Sequence, residues 1–198
     1  MKKIKIAISF LLLALILTGV GCGDFSDQSP KKEGKEKDEK ESENEEDYSL
    51  YKNKDWDFEI KYPNDWEKEI ITDEHSGTAV AFLSPLKDDK DNFQENVVVI
   101  AAESKPGDFD ELMQEAIESL KNYKHEKLVS HSKKIISGYS GYELVYIDDY
   151  SGGVKKQLHC FINADDVWYQ ILYTADEGNF VEYLAWAEII INSFKITK

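Results

Sequence analysis

The side chains best suited to nucleophilic or metal chemistry are four histidines, His75, His125, His131 and His159, and two cysteines, Cys22 and Cys160. A catalytic zinc centre needs three such ligands and a structural one four, at short regular spacings. Here the histidines are scattered, with no pair at i, i+3 or i+4 on a helix, and neither H-E-x-x-H nor C-x-x-C occurs. No zinc site is therefore expected. His159 and Cys160 are neighbours in a predicted strand, where successive side chains point to opposite faces. That alternation argues against a Cys–His dyad, and Cys160 is read as a buried structural thiol.

Three further patterns invite a chemical reading. Ser84-Pro85-Leu86-Lys87 matches S-x-x-K, which acylates only when the serine opens a helix and the lysine follows one turn later. Here it follows a strand without an S-D-N or K-T-G partner, so the match is read as chance. Asp88-Asp89-Lys90-Asp91-Asn92 suggests a calcium loop, but an EF-hand starting at Asp89 needs glycine and glutamate where Gln94 and Ile100 stand. A looser cation site stays open beside the plainer reading, a solvated loop between strands. Gly138-Tyr139-Ser140-Gly141 fails the nucleophile-elbow pattern because Tyr142 replaces the final glycine. Asp148-Asp149 are adjacent near a strand end and diverge. No cofactor and no metal are expected.

The aromatics remain, 11 Tyr, 9 Phe and 4 Trp, enough to line a groove or a docking surface. Tyr142, Tyr146 and Tyr150 fall on one strand face, either a partner surface or a layer packed under a helix. Trp56, Trp66, Trp168 and Trp186 with Tyr139, Tyr142, Tyr146 and Tyr150 are candidates to line a ligand groove, and Trp186 sits at the edge of a helical stripe, where partial exposure is expected.

The elements that must position these residues start near Tyr48. Asp57 to Tyr62 alternates with period two, Pro63-Asn64-Asp65 breaks it, and Trp66 to Ile71 reads as the return strand. Further strands are predicted at 78–83, 96–101, 128–136, 142–150, 156–162 and 167–174. Phe109, Leu112, Met113, Ala116, Ile117 and Leu120 form an apolar stripe at helical spacing, opened by Asp108 with Glu111 three residues on. A second helix is predicted behind Asn179, with Glu182 three residues on and a buried face of Phe180, Tyr183, Leu184, Ala187, Ile190, Ile191 and Phe194. Short turns between strands and two amphipathic helices describe an α+β domain with a mostly antiparallel sheet.

The chain ahead of this domain has a different character. Lys2, Lys3 and Lys5 precede an apolar run, Ile6 to Val20, whose 15 residues fall short of the roughly 18–20 that span a bilayer. A basic start, a short apolar core and small residues at its end make a secretory signal over residues 1–21. Gly19-Val20-Gly21-Cys22 resembles the lipobox of bacterial-type lipoproteins, departing from it at Gly19, where leucine is usual. The resemblance implies a lipid on the Cys22 sulfur and cleavage before it. Cys160 is then left without an intramolecular partner. Residues 23–47 hold eleven acids and five lysines and almost nothing apolar, the composition of a disordered tether. Its flexible reach is about 25–30 Å.

Net charge is −15, with no arginine in the chain. Residues 48–198 carry 28 acids against 16 lysines, leaving −12. Nucleic-acid binding needs a basic face that displaces counterions, so nucleic acid is excluded as a partner. An anionic membrane surface would push a domain of this net charge outward.

Phe58-Glu59-Ile60-Lys61-Tyr62-Pro63-Asn64-Asp65-Trp66 resembles the opening of PsbP-like domains, and Tyr183 through Phe194 resembles their closing helix. The likeness covers residues 48–198. It implies an antiparallel sheet flanked by helices in α/β/α layers, and the class of a non-catalytic accessory protein. The namesake is an extrinsic subunit of photosystem II. Its docking segment precedes the domain, where this chain carries only the acidic stretch, so the photosystem role and its residues do not carry over. The expectation is a non-enzymatic lipoprotein held on the extracytoplasmic face of the cell membrane, with an unidentified envelope protein as partner. The alternatives are a small-molecule or cation-binding lipoprotein serving an envelope transporter, and a hydrolase with an unrecognised motif.

Overall fold

The computed structural model describes residues 47–73, 77–104, 108–149 and 153–197. Cys22, the signal segment, the acidic stretch before Asp47, His75 and Tyr150 lie outside them.

The strands are β1 (Tyr48–Asn53), β2 (Phe58–Pro63), β3 (Glu67–Asp73), β4 (Gly77–Leu83) and β5 (Asn96–Glu103). Helix α1 (Phe109–Asn122) follows, then β6 (Glu126–Ile136), β7 (Tyr139–Asp148), β8 (Lys155–Ala164) and β9 (Val167–Asp176). Helix α2 (Phe180–Ser193) and the two-residue β10 (Lys195–Ile196) close the chain. Seven strands form one antiparallel sheet in the order β3-β4-β5-β9-β8-β7-β6, and β1-β2-β10 form a smaller one.

The small sheet corrects the expectation for the start of the domain. Pro63-Asn64-Asp65 does not fold β3 back onto β2. Strand β2 pairs with β1 and β10, whereas β3 pairs with β4 in the large sheet. The Pro-Asn-Asp break is a crossover between sheets, and Trp66, 6% exposed, lands against the Tyr183 ring of α2. Two strands went unexpected. The edge strand β1 has only Asn53 fully buried, and β10 is two residues long, so neither carries a strong alternating pattern.

Both faces of the large sheet are covered over β8 and β9. Leu158, Cys160, Ile162 and Ala164 of β8 share one face with Tyr169, Ile171, Tyr173 and Ala175 of β9, all buried. Phe180, Ala187, Ile190, Ile191 and Phe194 pack there with Phe58 and Ile60 of the small sheet. The opposite face carries Tyr142, Leu144, Tyr146, Gln157, His159 and Phe161, and α1 lies over it with Met113, Ile117 and Leu120 buried. The result is an α+β fold in α/β/α layers, as expected.

Local chemistry explains the turns. Ser137 (φ 52°) and Gly138 (φ 85°) supply the left-handed pair that a two-residue hairpin between Ile136 and Tyr139 needs. Asp165 (φ 55°) serves the two-residue turn between Ala164 and Val167. Gly141 is required for a different reason: a Cβ there would lie 2.5 Å from the Phe161 carbonyl oxygen. Asp108 caps α1 as expected, its carboxylate accepting from the N–H groups of Asp110 (2.9 Å) and Glu111 (3.2 Å).

Candidate functional site

His159 is one of the enclosed groups capable of chemistry. It lies on the α1 side of β8, 3% exposed, between Leu144 of β7 and Leu172 of β9. Its Nδ1 is 3.3 Å from the Tyr146 hydroxyl and its Nε2 3.1 Å from Gln170 Oε1. An amide oxygen only accepts, so Nε2 carries the proton and Nδ1 accepts from the tyrosine. Phe161 packs beside the ring, centroids 3.9 Å apart. Burial pushes the imidazole down to about 3, with Gln170 opposing weakly, and burial also pushes the Tyr146 hydroxyl up. Each ring nitrogen already has a partner inside the protein. This is a packed polar network, not an acid–base centre.

Cys160 points to the other face, fully buried among the core residues, and burial pushes its thiol up to about 12. It is a structural thiol, and the predicted separation of Cys160 from His159 holds. The other described histidines lie near the surface. His125 Nδ1 lies 2.9 Å from Asp149 Oδ1 at an exposed strand end, and His131 is exposed on β6.

The loop between β4 and β5 contains the S-x-x-K match and the acid cluster, and its geometry serves neither chemistry. Ser84 is fully buried; its N–H donates to the Glu95 carbonyl (2.8 Å) and its hydroxyl faces Glu95 Oε2 (3.5 Å). Lys87 turns away to α2, where Nζ donates to Glu182 (2.7 Å) and to Asn179 Oδ1 (3.0 Å). The hydrogen bond to Glu182 holds its ammonium above the usual lysine range. Asp88 accepts from the N–H groups of Lys90 and Asp91, and Asp91 from those of Lys87 and Phe93. Those backbone donors, Lys87 first, hold the Asp91 carboxyl below its usual range. The carboxylates thus shape the loop, and among the described residues no three His, Cys, Asp or Glu side chains converge as metal ligands.

Glu95 had no signal in the sequence. It is fully buried, with Oε1 accepting from Asn179 Nδ2 at 2.9 Å. Asn179 occupies the N-cap position of α2 as expected, but its side chain makes no capping hydrogen bond. Its amide instead joins Glu95 to Lys87, and Glu182 goes to Lys87 rather than back to the cap. The helix starts there as expected, and its terminal polar groups clamp the 84–95 loop instead of capping it.

The aromatic surfaces divide cleanly. Tyr142 and Tyr146 are 2% and 3% exposed under α1, the Tyr142 hydroxyl donating to Asp110 (2.9 Å) and its ring meeting Phe109 edge-on. The partner-surface reading of that face therefore gives way to packing under a helix. Hydrogen bonds from Lys133 and then Tyr142 hold the Asp110 carboxyl below its usual range. Trp168 stacks edge-on with Phe109, Trp56 packs on the core and Trp66 is buried. Trp186 stays 45% exposed beside Tyr48. No helix among the described residues is long and apolar enough to cross a membrane.

An antiparallel sheet with a helix on each face defines a layered α+β domain. The profile of the PsbP-like protein family matches residues 9–196, and the chain belongs to that family. Among solved structures it is similar to cyanobacterial PsbP (CyanoP) from Synechocystis sp. PCC 6803, at 16% identity and TM-score 0.56 over 79% of this chain and 96% of that one. It is also similar to LpqN of Mycobacterium tuberculosis, a protein involved in cell envelope biogenesis, at 17% identity and TM-score 0.53 over 76% and 86%. At these identities the likeness shows the fold. No curated protein sequence matches the chain.

Proposed function

We propose that the protein is a non-enzymatic accessory lipoprotein, held on the extracytoplasmic face of the cell membrane through Cys22, that binds a protein of the envelope. The observation carrying the non-enzymatic part is the opposed placement of His159 and Cys160, together with the commitment of Ser84, Lys87 and Glu95 to partners within the fold. Family membership supports the accessory class, and the envelope role of LpqN supports the compartment. The lipobox-like Gly19-Val20-Gly21-Cys22 supports the anchor. Two acyl chains on that cysteine hold stably where a single chain is marginal.

The test has two parts. Intact-mass analysis of the mature protein should give a chain starting at Cys22 with added acyl mass, and Cys22→Ser should release it from membranes. A free, unmodified N-terminus, or full retention of the serine variant, refutes the anchor. Immunoprecipitation from crosslinked membranes should enrich one envelope protein reproducibly, and repeated failure to do so refutes the binding role.

A further inference from the structure

The outer face of the small sheet differs from the rest of this acidic domain. Tyr51, Phe58 and Tyr62 turn to the core, so Tyr48, Leu50, Lys52, Glu59, Lys61 and Lys195 share the outward side by register. Leu50 is 47% exposed, and Trp186 of α2 (45%) lies against Tyr48 with ring centroids 6.4 Å apart. The sheet face carries three lysines against one glutamate, and Lys52 Nζ pairs with that glutamate at 3.0 Å. Asp47 and Glu188 flank it as exposed acids. Counting these six the charges cancel, where residues 48–198 as a whole carry −12.

We infer that this face, Trp186, Tyr48 and Leu50 with Lys52 and Lys195, docks the domain onto the lipid surface to which the chain is tied. Exposed Trp and Tyr favour the headgroup region, where one edge is apolar and the other wet. Lysines nearby reach anionic headgroups, each contributing about 1 kcal/mol close to the surface. Position agrees with chemistry, because Tyr48 opens the first strand and the 22–47 stretch joins the domain there. The inference deepens the anchored-lipoprotein reading and rests on it for the membrane's nearness. It adds an orientation: the small-sheet side faces the bilayer, and α1 with its side of the large sheet faces away.

The test uses the chain from Cys22 onward, since Asn44–Lys198 forms one compact unit that this start leaves whole. The Cys22 thiol is coupled to a maleimide lipid in phosphatidylcholine vesicles with or without phosphatidylglycerol; fully buried Cys160 does not compete. Tryptophan emission is read with a headgroup-region spin-labelled phosphatidylcholine as quencher. Expected are a blue shift and quenching on anionic vesicles, weaker on neutral ones, both lost in Trp186→Phe and reduced in Leu50→Glu. Unchanged circular dichroism shows that both variants fold. Coupled protein whose emission is not quenched overturns the inference. So does a Trp186→Ala variant that loses a crosslinked envelope protein while vesicle quenching is absent, which assigns the face to a protein partner and leaves the accessory role standing. Because coupling is chemical, quenching without acyl mass on Cys22 in cells would remove the natural anchor and retain the docking face.

Discussion

His159 makes the fold sensitive to acid in a measurable way. In the native state its imidazole is buried, neutral and hydrogen-bonded on both nitrogens, and burial pushes it from 6.5 to about 3. In the unfolded chain it titrates near its ordinary value, so below pH 6.5 the unfolded state binds the extra proton. Its contribution to stability is therefore complete above about pH 6.5 and is lost as pH falls toward 3. Each pH unit in that window costs about 1.4 kcal/mol, so acidification from pH 6.5 to 4 should cost about 3 kcal/mol. Carboxylates titrate in the same range, and some act in the opposite sense. Burial and then Asp148 raise the Glu126 carboxyl, so its protonation favours the native state.

The measurement is thus a difference. His159→Gln preserves the pattern of one donor toward Gln170 and one acceptor toward Tyr146, and removes the titration. Urea unfolding of both proteins at pH 7, 5.5 and 4 should show the wild type losing about 3 kcal/mol relative to the variant. That is a relative midpoint shift of about 1–2 M urea. Parallel pH profiles for the two proteins would refute a buried, neutral His159.

Three further outcomes are expected. Asn179→Asp keeps a residue that the capping rule favours, yet it should destabilise by about 2–3 kcal/mol in thermal or urea unfolding. The reason is that it replaces the amide donor 2.9 Å from buried Glu95 with a second carboxylate. Gly141→Ala should cost about 1–3 kcal/mol, the range for overpacking, because its Cβ meets the Phe161 carbonyl at 2.5 Å; a neutral result would mean the β7–β8 pairing is looser than described. Cys160 should resist a disulfide reagent at pH 8 in the native protein and react at once in denaturant, and rapid native labelling would contradict its burial.

Local pattern was enough for most of the elements and several boundaries. The stripe from Phe109 to Leu120 and the Asp108 cap specify α1 because a helical period and an N-cap are properties of adjacent residues. The opposition of His159 and Cys160 follows from strand alternation alone. Pairing across long sequence distance was not legible. Pro63-Asn64-Asp65 marks a break, but only packing decides that β2 joins β10, more than 130 residues later, rather than β3. Tyr142 and Tyr146 form an aromatic face in either reading, and the position of α1 makes it interior. Glu95 is one acid among many in a polar loop until the fold sets it beside Asn179. The signal-like start and lipobox-like Cys22 thus give the expected compartment, and the PsbP-like motifs at 58–66 and 183–194 imply the expected class, all being readable in one dimension. Which polar groups are buried, and that Trp186 meets Tyr48 across helix and sheet, depends on burial that only the three-dimensional contacts create.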